Sequence, residues 1–148
     1  MPGWKRDAIP VSEHQAGAET DGRLRREAEF HDDAFSGSAR EAVGKYYATA
    51  SAAKAHYLER IRRGASGRAV LEYGCGKGSA AFDLARAGAA VTGIDISQVG
   101  IREAEQQAER LGLGQHLCFR QMNAEALDFD DGSFDLVCGR GILHHLDL

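Results

Sequence analysis

Glycine stands at every second position in Gly74-Cys75-Gly76-Lys77-Gly78, directly after the apolar run Val70-Leu71 and the acidic Glu72. This stretch constrains the chain more than any other. A short apolar run reads as a strand, and Ser79 to Ala87 reads as a helix ending at Gly88. A strand, a glycine turn and a helix start leave backbone without Cβ atoms, so a ligand can lie against the main chain. Glu72 at the strand end suits a cationic group of that ligand. Asp95 ends the next strand-like run, about twenty residues beyond the turn, the spacing at which a carboxylate meets ribose hydroxyls.

The rest of the chain places this turn in a repeating pattern. Ala69–Tyr73, Ala90–Ile94, Leu117–Met122 and Phe134–Cys138 read as strands. Between them, Ser97 caps a helix that runs to Leu111, with Ile101, Ala104, Ala108 and Leu111 on one face and Gly112 as its stop. Asp130-Asp131-Gly132-Ser133 reads as a turn, and Leu143–Leu146 begins a further helical segment. Strands alternating with helices predict a mostly parallel α/β sheet. N-terminal to it, Leu24–Phe35 reads as a short helix. Ser38–Arg63 reads as a helical region with Ser38 as N-cap, Glu41 completing a capping box, Gly44 as a weak point and Gly64 as stop. The expected division is a flexible tail over 1–22, a helical cap over 23–66 and a nucleotide-binding domain over 67–148.

Composition narrows the function. A net charge of −4 offers no broad basic surface for nucleic acid, and no apolar run is long enough to serve as a signal peptide or to span a bilayer. Three cysteines, Cys75, Cys118 and Cys138, lie in strand-like surroundings without metal spacing, which predicts buried thiols in a reducing cytoplasm. His144 and His145 are adjacent, but no third ligand is evident in the sequence, so no metal site is expected.

Four motifs in order now carry a family resemblance. Val70–Gly78 resembles the first motif of the class I S-adenosylmethionine-dependent methyltransferases. Val91-Thr92-Gly93-Ile94-Asp95-Ile96-Ser97 resembles the second, and Gln121-Met122-Asn123-Ala124-Glu125-Ala126-Leu127 the third. Ser133-Phe134-Asp135-Leu136-Val137, followed by Leu143-His144-His145-Leu146, resembles the fourth. The resemblance implies a Rossmann-like three-layer α/β/α fold, with S-adenosyl-L-methionine as cofactor and a small organic molecule as methyl acceptor. It places Gly74, Cys75, Gly76 and Gly78 along the cofactor's methionine part, with Glu72 at its amino group. Asp95 would hold the ribose hydroxyls, Ile96 would flank the adenine, and Asn123 and Ala124 would bond the ring. Gly139 would lie beside the methionyl group. His144 and His145 follow the fourth strand, where the cleft should open, so either is a candidate general base for an acceptor within hydrogen-bond reach; the resemblance itself implies a structural or water-binding role for this Leu-His-His-Leu stretch.

Asn123 departs from the family's usual aspartate, so its contact would carry no charge. A dinucleotide is the rival ligand. Its fingerprint wants the third glycine at the place held by Ser79, and Glu72 would crowd a pyrophosphate. The resemblance also implies seven strands ordered 3-2-1-4-5-7-6, of which this chain supplies candidates for strands 1–4. The expectation is therefore an incomplete sheet from a longer methyltransferase. The alternatives are a homodimer that covers the strand-four edge, or a cofactor-binding module without turnover.

Overall fold

A computed structural model describes residues 18–36 and 44–146. The expected N-cap Ser38 and its partner Glu41 lie outside the described residues, as do the side chains of Tyr46 and Tyr47. Two helices come first, α1 (Ala18–Ser36) and α2 (Gly44–Arg63). They are followed by β1 (Ala69–Tyr73), α3 (Ser79–Arg86), β2 (Ala90–Asp95), α4 (Gln98–Arg110), β3 (Leu117–Gln121) and β4 (Leu136–Cys138), with a 3-10 turn over Leu143–His145.

The four strands form one parallel sheet in the order β3-β2-β1-β4. Glu72 of β1 stands opposite Gly93 of β2 and Cys138 of β4, so the carboxyl ends of all three strands reach one rim. The order reverses between β1 and β4. In a parallel α/β sheet that reversal opens a crevice at the carboxyl rim, because the connections leave β1 and β4 in opposite directions. The fold is the Rossmann-like one the four motifs imply.

Local chemistry explains the elements. Val70 and Leu71 are buried in β1, and the near-continuous apolar reading of that strand follows from cover on both faces. The core joins Val70 and Val91 to Leu84 of α3, to Ile101 and Ala104 of α4, and to Phe119 of β3. Ser97 caps α4 by accepting from the Gly100 N–H at 3.0 Å. Asp32 of α1 adds to that cap: its Oδ1 accepts from the Ser97 hydroxyl and, at 3.1 Å, from the Val99 N–H. A carboxylate there meets the positive end of the helix dipole, and it anchors α1 across the start of α4.

Three boundaries differ from expectation. Helix α1 begins at Ala18, inside the expected tail, and runs to Ser36. The described part of α2 opens at Gly44, and the residues that would test the expected weak point there, 38–43, lie outside the described residues. Strand β4 is three residues long instead of five, because Asp135 uses its N–H and its carboxylate to bond the Ala69 backbone (each 2.8 Å) and leads into the ladder without joining it. The segment after it is one 3-10 turn. All three cysteines are free thiols; Cys75 and Cys138 are buried, and Cys118 is half-buried.

Candidate functional site

The crevice at the β1–β4 reversal is a cleft of about 270 Å³. Its floor is the turn after β1. Gly74 (φ +65°) and Gly76 (φ +53°) both hold the left-handed conformation that side chains rarely adopt. One wall comes from Asp95 and Ile96 at the end of β2 and from Met122, Asn123 and Ala124 after β3. The other wall is Arg140, Gly141 and Ile142 after β4, and α1 forms the roof with Glu27, His31 and Phe35 among its contacts.

Asp95 organises the floor. It is buried; its Oδ2 accepts from the Gly76 N–H at 2.7 Å and its Oδ1 from the Ser97 N–H at 2.9 Å. Each carboxylate oxygen can accept more than one hydrogen bond, so both keep capacity for a ligand hydroxyl. Asn123 is partly committed too: its amide oxygen accepts from the Glu125 N–H at 3.0 Å and so closes a local turn.

Glu72 lies just beyond the floor, in a side hollow of about 70 Å³ that shares Gly74, Cys75 and Arg140 with the cleft and is also bounded by Lys54 and Tyr57. The side chain is 5% exposed, and its Oε2 has no hydrogen-bond partner. Burial pushes its carboxyl up to about 7, against a backbone hydrogen bond from Ala81 that pulls it down; Asp95 adds to the rise and Arg140 opposes it. A buried carboxylate oxygen without a partner is costly, and a cationic ligand group would satisfy it. The Tyr57 hydroxyl is buried in the same hollow, near Cys138. Burial pushes both the Tyr57 hydroxyl and the Cys75 thiol well up, and the Cys138 thiol up to about 11.

The structure brings most of the sequence-derived residues to this cleft and separates others from it. Gly74, Cys75, Gly76, Asp95, Ile96, Asn123, Ala124 and His145 line it, and Glu72 stands next door. Gly78 does not line it. A Cβ there would meet Phe119 at 2.9 Å and Phe82 at 3.1 Å, so this glycine lets α3 close onto β3. Gly139 is also outside the lining and allows close packing against Tyr73. His144 is exposed and is not part of the lining, although its ring lies against that of His145 with centroids 3.9 Å apart.

The helical cap expected N-terminal to the sheet is present as α1, but the contacts that seat it over the cleft were not foreseen. The Phe35 ring covers Gly76, where a Cβ would come within 2.9 Å of it, and the Ile142 side chain covers Gly74 at the same distance. Lys77 fixes the end of α1 by donating to the Phe35 carbonyl at 2.9 Å and pairing with Glu103 at 2.7 Å. At the other end Arg23 pairs with Glu125 at 2.5 Å and donates to the His145 carbonyl at 3.2 Å. These contacts link residues 26 to 122 positions apart, and only the helical pattern of α1 hinted at them.

A parallel sheet ordered β3-β2-β1-β4, with a carboxylate at the end of β1, another at the end of β2 and bare main chain between them, is the arrangement the class I S-adenosylmethionine-dependent methyltransferase resemblance implies. The chain belongs to that family: residues 70–148 match the family described as "Methyltransferase domain". It is 37% identical over 91 residues to a ubiquinone biosynthesis O-methyltransferase of Alkalilimnicola ehrlichii, covering 61% of this chain and 36% of that protein. It is 32% identical over 96 residues to a sterol 24-C-methyltransferase of Eremothecium gossypii, covering 64% and 26%. A solved S-adenosylmethionine-dependent methyltransferase from Geobacter sulfurreducens, in complex with S-adenosyl-L-homocysteine, superimposes with a TM-score of 0.53 at 26% identity over 61% of this chain and 37% of that one. The chain thus spans about a third of the length of these relatives.

Proposed function

We propose that this chain carries the S-adenosyl-L-methionine site of an enzyme that methylates a small organic acceptor. The observation that carries the reading is the unpartnered, buried oxygen of Glu72 beside the Gly74–Gly76 floor, with the Asp95 carboxylate at the end of the neighbouring strand. A ligand with a cationic amino end and a ribose fits that pair, whereas a pyrophosphate would be repelled by both carboxylates.

Glu72 would hold the cofactor's amino group, with the Gly74–Gly76 backbone under its methionine part. Asp95 would accept from the ribose hydroxyls. Ile96 and Ala124 would enclose the adenine, and Asn123 would bond it through the second lone pair of its amide oxygen. Bound there, S-adenosyl-L-methionine supplies an already activated methyl group, so the remaining task of the chain is alignment and exclusion of water. Phe35 and Ile142, which rest on the glycine floor, must turn aside to admit the methionine end. They are placed to cover it again afterwards.

The acceptor is proposed only as a class. The relatives named above act on oxygen in one case and on carbon in the other, by their names. The acidic balance of the chain and the helical roof favour a small molecule over nucleic acid, and cytoplasmic action fits the free thiols. Among the described residues no helix is long and apolar enough to cross a membrane.

The test is calorimetric titration of the chain with S-adenosyl-L-methionine and with a nicotinamide dinucleotide. The first should bind and the second should not. Asp95→Ala should weaken the first by about tenfold or more, the value of losing one charge-assisted hydrogen bond. An unchanged dissociation constant removes Asp95 from the site. Formation of S-adenosylhomocysteine with a panel of phenolic acceptors then separates turnover from binding alone.

A further inference from the structure

Three metal-ligating side chains converge where α1 crosses the 3-10 turn after β4. Glu27 and His31 are four residues apart on α1 and share one face of it. His145 reaches them from the turn. The Glu27 Oε2 lies 3.4 Å from the His145 Nδ1 and 3.7 Å from the His31 Nε2, and the two imidazoles meet edge to face with centroids 5.1 Å apart. All three ligand atoms lie within 4.8 Å of one another.

These separations are long for hydrogen bonds, which cluster near 2.9 Å. They suit ligands that share an ion: two ligands bound to Zn²⁺ at about 2.05 Å in a tetrahedron stand about 3.3 Å apart. The side chains are only 23–32% exposed, so each is already partly desolvated and held by its neighbours. Arg23 fixes the backbone of His145 through its carbonyl, and Phe35 stacks on the His31 ring. Ligands placed in advance of the ion lower the cost of ordering them.

We propose that Glu27, His31 and His145 form a binding site for a first-row divalent cation of the Zn²⁺ type. Two imidazoles and one carboxylate select such an ion over Mg²⁺ or Ca²⁺, which prefer all-oxygen shells. All three residues line the cleft, so the ion's open position faces into it and takes water or an oxygen donor of a molecule bound there. The ion also clamps α1 to the β4 end of the sheet. His145 is then a ligand, and the general-base role expected from the sequence does not apply to it.

The site shares the cleft assigned to the cofactor, but its test uses the metal alone. The 148-residue chain, stripped with chelator, is titrated with Co²⁺ and followed by visible absorption. The expected result is the intense band set of tetrahedral cobalt, saturating at one equivalent and bleached by Zn²⁺. His31→Ala, His145→Ala and the isosteric Glu27→Gln should each weaken Co²⁺ binding by at least about tenfold, while His116→Ala should not. Far-UV circular dichroism on each variant establishes that α1 has not been lost. A parent chain with no tetrahedral bands, or variants at His31 and His145 that bind as tightly as the parent, overturns the site. Titration of the metal-free chain with S-adenosyl-L-methionine decides the cofactor reading independently of either result.

Discussion

Glu72 is the residue on which the apo protein's stability and its affinity pull in opposite directions. Burial raises its carboxyl from the usual 4.5 to about 7. The folded state therefore binds an extra proton between those values, and the stabilisation this gives is present below pH 4.5 and lost as pH rises through 7. Glu72→Gln keeps the shape and removes the charge. In urea unfolding it should match the parent near pH 4.5 and exceed it at pH 8 by on the order of 1–3 kcal/mol. Its binding of S-adenosyl-L-methionine should be weaker at pH 8, and affinity should no longer climb as pH rises through 7. A variant that is no more stable at pH 8 and binds as well as the parent would show that the Glu72 carboxylate is neither strained nor used.

Among the elements, α1 decides whether the cleft is open. It is tied at one end by Arg23 to Glu125, in the middle by Asp32 to the start of α4, and at the other end by Lys77 to the Phe35 carbonyl. In this arrangement the Phe35 ring occupies the space above Gly76 that the bare backbone leaves. Phe35→Ala should raise the association rate of S-adenosyl-L-methionine by about 3–10-fold in stopped-flow measurements, because less of the population is closed against it. Slower association together with weaker binding would instead make the ring a wall of the occupied site. Little of this was readable beforehand. The sequence pattern marks Leu24–Phe35 as helical, yet the face it turns to the cleft is set by partners such as Ser97 and Glu125, which no local signal links to it.

At the scale of the whole molecule the sheet is unevenly finished. The β1 strand is covered on both sides, whereas among the described residues β4 pairs with β1 alone. Val137 in β4 is 55% exposed and Leu143 beyond it 60%. An open strand edge beside apolar side chains favours association with further β-structure. The 148-residue chain should therefore self-associate with rising concentration in sedimentation equilibrium, and Val137→Lys should shift it toward monomer. A chain that stays monomeric at high concentration would show that the edge is protected in some other way.

The parallel sheet and most residues of the cleft floor were legible from the amino acids alone, because each depends on local chemistry. Glycines at 74 and 76 are required by left-handed backbone, the apolar side chains at 70, 71, 91 and 94 by burial, Ser97 by an exposed helix start, and Asp95 by its place at a strand end. The contacts that seat the helical roof, the side hollow at Glu72 and the meeting of Glu27 and His31 with His145 were not legible. They join residues far apart in the chain through contacts that leave no periodic trace, and only the packing of α1 and the β4 turn against the sheet rim settled which side chains stand together.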